Sequence, residues 1–374
     1  MRNLNLDILK SISLLLLISA HTNLPNNSLF FQLRCFDVPL IVFVSGYLFS
    51  LYAQKNKRII YLDYVKKRTI RLLVPTWTFL IIFFSISFVL CFLFKQNFPF
   101  SVEKILSSFL LLDSGIGYLW IIRIFLMLAL ISPFIYAINS IIQKFPLGFI
   151  LSLVIHNFLV SQLAESFNKW LFNFGTIGLF VRVILREYLF YIIPYGAILL
   201  LGMIASYPNW KFFKIILVSS LFTLMVYLMQ AFTSGNFLFI SSSKFPPSGA
   251  YVFYGIVMSI ILYLTLDKFT SDFNPQNLKI SRNLSFFNFF GLGEIVYFIS
   301  RFSIWIYFWH IFSFKEPVIG NILFFNTSPL IFFIITMLFA CFFTWTQIIL
   351  IEWVITKTNF GKKNSKILSI MFMT

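Results

Sequence analysis

The sequence predicts an all-α membrane protein, a polytopic bundle of about ten transmembrane helices with both termini cytoplasmic, forming a single domain over residues 1–374. Three observations predict it. Hydrophobic residues are 59% of the chain against 11% charged, and mean hydropathy is +0.90, more apolar surface than a soluble core needs. The apolar residues fall in runs close to the length that crosses a bilayer. The cations behind the net charge of +17 sit in short loops between those runs, where they set topology rather than meet a polyanion. The lipid bilayer is therefore an expected partner and nucleic acid is not.

Taken in order, the expected spans are Leu4–Leu24, Asp37–Ala53, Ile70–Phe94, Tyr118–Ile142, Leu147–Leu163, Tyr188–Tyr207, Phe212–Phe232, Tyr251–Leu266, Ile295–Phe312 and Leu330–Ile355. With the N-terminus inside, the inner loops receive Lys55 to Arg71, Lys144, Lys211, Lys214, Lys268, Lys279, Arg282 and the tail lysines Lys357 to Lys366. The outer side holds Arg34, Lys95, Lys104, Lys169, Arg182, Arg186, Lys244 and Lys315, fewer than half as many. The positive-inside rule then places both termini in the cytoplasm. The segment Ala164–Glu187, with Trp170, Phe172, Phe174 and Phe180 among its charges, is expected to lie on the outer surface or re-enter it. The three cysteines, Cys35, Cys91 and Cys341, lie in or beside apolar runs with no metal spacing and read as packing residues.

The first span carries Asp7, Lys10 and His21. Asp7 and the continuing apolar run mark it as an uncleaved span rather than a signal peptide. Eleven residues separate Lys10 from His21, so on one continuous helix they share a face roughly 16 Å apart. A buried imidazole can hold a pKa suited to a general base. Lys10 could instead snorkel or pair with Asp7 about one turn away.

The second span opens at Asp37 and contains Ser45-Gly46, which permits close helix packing or approach of a ligand. Asp37, near His21 in this topology, could orient the imidazole. At the start of the third span Arg68 and Arg71 are three residues apart and share a helix face, a pairing that suits phosphates as well as topology. The fourth span starts Gly117-Tyr118-Leu119-Trp120 and places Arg123 about one turn inside, either snorkelling or facing a pocket. Ser243-Lys244-Phe245-Pro246-Pro247-Ser248 is a rigid turn, because two prolines forbid helix. The ninth span carries Arg301, Ser303 and His310, residues hard to explain as lipid-facing.

In this order these stretches resemble the acyltransferase-3 family of integral membrane acyltransferases, of the kind that O-acetylate bacterial surface polysaccharides. The resemblance runs from Leu6 to about Ile311. It rests on Asp7, Lys10 and His21, on Pro39 with Ser45-Gly46-Tyr47, on Arg68-x-x-Arg71 and on Leu119-Trp120. Further along it rests on Lys244-Phe245-Pro246-Pro247-Ser248 and Ser303-x-Trp305-Ile306-Tyr307-x-Trp309-His310. The chain departs from the family pattern at position 10, which commonly holds Arg; Lys keeps the charge and loses the bidentate fork.

The resemblance implies an acyl-CoA co-substrate, most simply acetyl-CoA, whose phosphates meet Lys10, Arg68 and Arg71, with no permanently bound cofactor and no metal. His21 would act as general base on a saccharide hydroxyl or carry the acyl group transiently. Lys10 and Asp37 complete the expected catalytic set, and Trp120, Arg123, Lys244, Ser303 and His310 the acceptor contacts. A bacterial inner membrane is implied as the location. From composition alone, a transporter or flippase of a lipid-linked sugar remains the second reading; paired broken helices in inverted repeats would favour it.

Overall fold

A computed structural model describes residues 3–22, 24–25, 28–56, 59–171, 175, 178, 181, 188, 190–207, 209–233, 240–272, 291–316, 318–320 and 328–373, with side chains left undescribed at 160–171, 269–272 and 292. The expected outer-surface segment Ala164–Glu187 and most of the Asp267–Phe290 connection lie outside the described side chains.

Among the described residues the chain is helical, with no strand beyond an isolated bridge between Lys244 and Pro247. The helices are α1 (Leu4–Ser19), α2 (Leu29–Leu33), α3 (Asp37–Lys55), α4 (Tyr61–Leu93), α5 (Val102–Phe109), α6 (Trp120–Ile142) and α7 (Pro146–Leu171). There follow α8 (Phe190–Ala205), α9 (Trp210–Thr233), α10 (Gly249–Asp272), α11 (Leu292–Arg301), α12 (Ser303–Lys315), α13 (Pro329–Lys357) and α14 (Asn359–Phe372).

Six of the described helices are long and apolar enough to cross a membrane, and a seventh span results if the broken pair α11 and α12 counts as one. The chain is a multi-pass membrane protein. The expected ten spans are corrected in three ways. The first helix stops at Ser19 rather than Leu24: the His21 amide closes a turn onto the Ile18 carbonyl at 3.0 Å, and Pro25 disfavours helix at the residue before it. At 16 residues it falls short of a full span, as does α8, also of 16 residues. The third begins at Tyr61, nine residues before Ile70, so Arg68 and Arg71 lie two to three turns inside it. The ninth is two helices bent by 77° at Phe302, whose φ of −102° and ψ of 18° leave the helical range. Phe302 and Ser303 become buried there while Arg301 stays exposed, its Nη1 donating to the Tyr297 hydroxyl at 2.7 Å.

The chain packs as two units. The first comprises Met1–Leu17, Pro25–Tyr61 and Met127–Asn277, and its central contact is α3 against α8. A Cβ on Gly46 would lie 1.9 Å from the Leu199 carbonyl oxygen, and one on Gly202 1.9 Å from that of Phe43. Each helix thus presents a glycine to the other's backbone, the close approach that small residues permit between membrane helices. Ser206 and Gln54 extend the seam: Ser206 Oγ donates to Ser50 Oγ at 2.7 Å and Gln54 Nε2 to Ser206 Oγ at 2.9 Å. Gly255 of α10 gives the same close approach to Pro39.

The second unit comprises Ile18–Leu24, Leu62–Leu126 and Leu278–Thr374. Its core is α12, which is apolar all round and buried from Trp305 through Ser313. Phe308 stacks on Phe79 of α4 at 4.7 Å and Phe312 meets Phe83 edge-on at 5.5 Å, so the two helices run parallel and in step. Trp309 donates its indole N–H to Gln347 Oε1 of α13 at 2.9 Å. Trp305 stacks on Phe372 of α14, a helix folded tightly back where a Cβ on Gly361 would lie 1.9 Å from the Val354 carbonyl oxygen.

Substituting Gly46→Ala is expected to destabilise the protein by about 1–3 kcal/mol through overpacking. A lower unfolding temperature in detergent would show it.

Candidate functional site

Ending α1 at Ser19 takes His21 out of the helix. Its imidazole, half-buried, is held by rings of the second unit. It meets the Tyr118 ring edge-on, with centroids 4.3 Å apart at 88°, and is stacked on His310 at 5.5 Å and 24° and on Phe314 at 5.9 Å and 25°. Tyr118 and Phe314 also meet each other edge-on at 5.2 Å. Such aromatic pairs are worth roughly 0.5–1.5 kcal/mol each beyond burial, and together they fix the plane of the His21 ring. The register expected between Lys10 and His21 is corrected accordingly, because a shared face requires the helix to continue to residue 21.

His310 is fully buried. Its Nδ1 lies against the Tyr307 carbonyl oxygen, which can only accept, so the proton sits on Nδ1 and Nε2 keeps a lone pair. That Nε2 is buried with no hydrogen-bond partner among the described residues. Tyr307 in turn donates its hydroxyl to the Tyr118 carbonyl oxygen, which ties α12 to the start of α6. A partly open imidazole beside a closed one is an arrangement that can take up a proton or an acyl group at the first ring.

The remaining expected residues fall into separate neighbourhoods. Arg68 and Arg71 adjoin one another on α4; neither has an ion pair among the described residues, and the Arg68 guanidinium lies 5.7 Å over the Tyr64 ring. They precede Phe83, which is level with the His21 layer, by 15 and 12 residues, roughly 22 and 18 Å at the helical rise. Trp120 begins α6, half-buried. Arg123 is 5% exposed and donates to Asp113 Oδ1 at 2.9 Å, clamping the loop before α6 onto that helix. Ser303 is buried at the first turn of α12, seven residues from His310.

In the first unit the structure brings Asp37 and Lys244 together. Asp37 is fully buried. Its Oδ2 accepts from Arg34 Nη1 at 3.0 Å, both oxygens lie 3.2 Å from Lys244 Nζ, and Oδ1 accepts from the Val38 amide at 2.8 Å. This carboxylate caps α3 and pins the Lys244–Pro247 turn to it. Ser13 of α1 donates to the Asp37 carbonyl at 2.7 Å, which holds α1, with Lys10 half-buried one turn earlier, beside α3.

The residues missed by sequence reasoning are those that build the ring box: Tyr118, Tyr307, Phe314 and Lys315. A signal existed for two of them, since Tyr307 and Phe314 stand three before and four after His310 and so share its helix face. Tyr118 carried none beyond its place next to Leu119-Trp120.

The family model Acyl_transf_3, described as an acyltransferase domain, matches residues 3–351. No curated protein and no solved structure matches the chain.

Replacing Asp37 with Asn removes the carboxylate that Arg34 and Lys244 share inside the protein. Breaking such a buried pair costs about 3–5 kcal/mol, so Asp37→Asn should lower the unfolding temperature sharply. A variant of unchanged stability would remove Asp37 from the framework.

Proposed function

The chain belongs to the acyltransferase family matched over residues 3–351, and from that premise we propose that it is a membrane O-acyltransferase. It moves an acyl group, most simply acetyl, from acyl-CoA to a sugar hydroxyl of a bacterial surface polysaccharide or its lipid-linked precursor, in the inner membrane. The observation that carries this reading is the ring-held, half-buried imidazole of His21 standing roughly 20 Å along α4 from two arginines that have no carboxylate partner among the described residues.

Arg68 and Arg71 suit the phosphates of the donor, because guanidinium groups bind phosphate through paired, charge-assisted hydrogen bonds. The spacing to His21 is one that an extended pantetheine arm covers. Lys10 occupies the position of the family's first-helix cation and carries a point charge there. With the thioester brought to His21, the imidazole takes the proton of the acceptor hydroxyl. The oxygen attacks the thioester carbonyl, the carbon–sulfur bond breaks and the CoA thiolate leaves, taking up a proton. In the two-step form the imidazole attacks first, releases CoA and then yields the acyl group to the hydroxyl. Tyr118 and His310 hold the His21 ring at the angle that either form needs. Trp120 and Ser303 are the acceptor contacts of this reading, whereas Arg123 and Lys244 are engaged by Asp113 and Asp37 and serve the framework.

Transfer from isotopically labelled acetyl-CoA to surface polysaccharide tests it, in membranes carrying the intact chain or His21→Ala at matched protein level. Label should enter polysaccharide only with the intact chain; equal labelling by both would remove His21 from the mechanism. Arg68→Ala and Arg71→Ala should each raise the acyl-CoA concentration for half-maximal transfer about tenfold, the loss of one charge-assisted hydrogen bond. An unchanged donor dependence returns the two arginines to topology alone.

A further inference from the structure

Two lysines border the His21 layer and take no part in the steps above. Lys315 is the last residue of α12 and is exposed. Its Nζ lies 4.8 Å from the Tyr118 ring centroid and 5.7 Å from that of Phe314, the two rings that hold His21. A cation in the last turn complements the helix dipole. That explains a lysine at this position but not an ammonium laid over the Tyr118 ring. No carboxylate among the described residues pairs with it. Glu316, next in sequence, is buried, its Oε2 accepting from the Ile319 amide at 2.6 Å. A second cation, Lys104 of α5, lies on the same cluster of rings: its Nζ is 5.6 Å from the Phe100 ring centroid, and Phe100 packs on Phe83, which packs on Phe312 of α12, each at 5.5 Å. Glu103, beside it on α5, is exposed and forms no ion pair among the described residues.

Two like charges held near one another at the edge of an apolar body repel, and the repulsion is relieved when an anion comes between them. The donor phosphates are not the natural anion here. Arg68 and Arg71 lie back along α4 from the His21 layer, whereas Lys315 lies onward from it, since α4 and α12 run parallel. Arg68 and Arg71 therefore stand well back along α4 from His21, whereas Lys315 stands beside the rings that hold it.

We propose that Lys315, with Lys104, binds a negatively charged group of the acceptor, a carboxylate or a phosphate, and thereby selects an anionic saccharide. This rests on the transferase reading for the identity of the acceptor, but its test is independent of transfer. On binding, the Lys315 ammonium moves from the Tyr118 face to the anion, and the sugar covers the half-open His21 ring.

The purified full chain in detergent is treated with diethyl pyrocarbonate, and the modification rate of His21 is followed by peptide mass spectrometry. The rate is measured with glucuronate, glucose 1-phosphate or glucose present. An anionic sugar should slow modification and glucose should not. Protection by glucuronate alone assigns a carboxylate, by glucose 1-phosphate alone a phosphate. In Lys315→Ala half-protection should need about tenfold more sugar, and Lys315→Arg should restore it. Equal protection by glucose, protection undiminished in Lys315→Ala, or none from either anion would overturn the proposal. Failure of labelled transfer with this protection intact would overturn the transferase reading and leave the anion site standing.

Discussion

A charge enclosed by apolar side chains must find its counter-charge within the chain or be supplied with one from outside, and this constraint sorts the polar residues of the protein. Asp37, Arg34 and Lys244 satisfy one another in the interior of the first unit. Arg123 and Asp113 do so in the second. These groups are internally complete, and their geometry serves the framework: one fastens the start of α3, the other the start of α6. Arg68, Arg71 and Lys315 have no carboxylate among the described residues, and Lys315 lies instead beside another cation. Cations left in that condition at the margin of an apolar body are where an anionic substrate has something to neutralise.

The two histidines of the second unit are distinguished by exposure in the same way. His310 is closed in, with its Nδ1 proton fixed by a backbone carbonyl and its second nitrogen buried. His21 is half-open, and the rings of Tyr118, His310 and Phe314 lie against it. Ring contacts fix the plane of an imidazole, and its half-open position leaves it within reach of solvent or a ligand. The turn that ends α1 is what makes this possible, since a His21 inside a continuing helix would be confined by its own backbone and by the neighbours one turn away.

Much of the site was legible because its residues violate the local pattern. Lys10, His21, Arg68, Arg71, Arg123 and His310 interrupt apolar runs, and an interruption that costs free energy in a bilayer is visible without any knowledge of partners. Tyr118, Tyr307 and Phe314 interrupt nothing. Among 52 phenylalanines and 16 tyrosines they stand out only by position, Tyr307 and Phe314 by sharing the helix face of His310. Asp37 shows the opposite difficulty: its place near the start of the second helix was plain, but not that its carboxylate would be engaged by Lys244, 207 residues away.

The sequence by itself determined the class of the protein, the helical character and rough position of its apolar segments, and the motifs that resemble its family. Those properties are carried by hydropathy and spacing over one or two helical turns, and neighbouring residues suffice to set them. The tertiary structure decided where α1 stops, where α11 and α12 part, which charges are paired and which rings enclose His21. The enclosure of His21 and the pairing of Lys244 with Asp37 depend on contacts between residues far apart in the chain, as does that of Tyr307 with Tyr118 across 189 positions. Hydropathy describes how much a side chain avoids water; it does not specify which other side chain replaces the water.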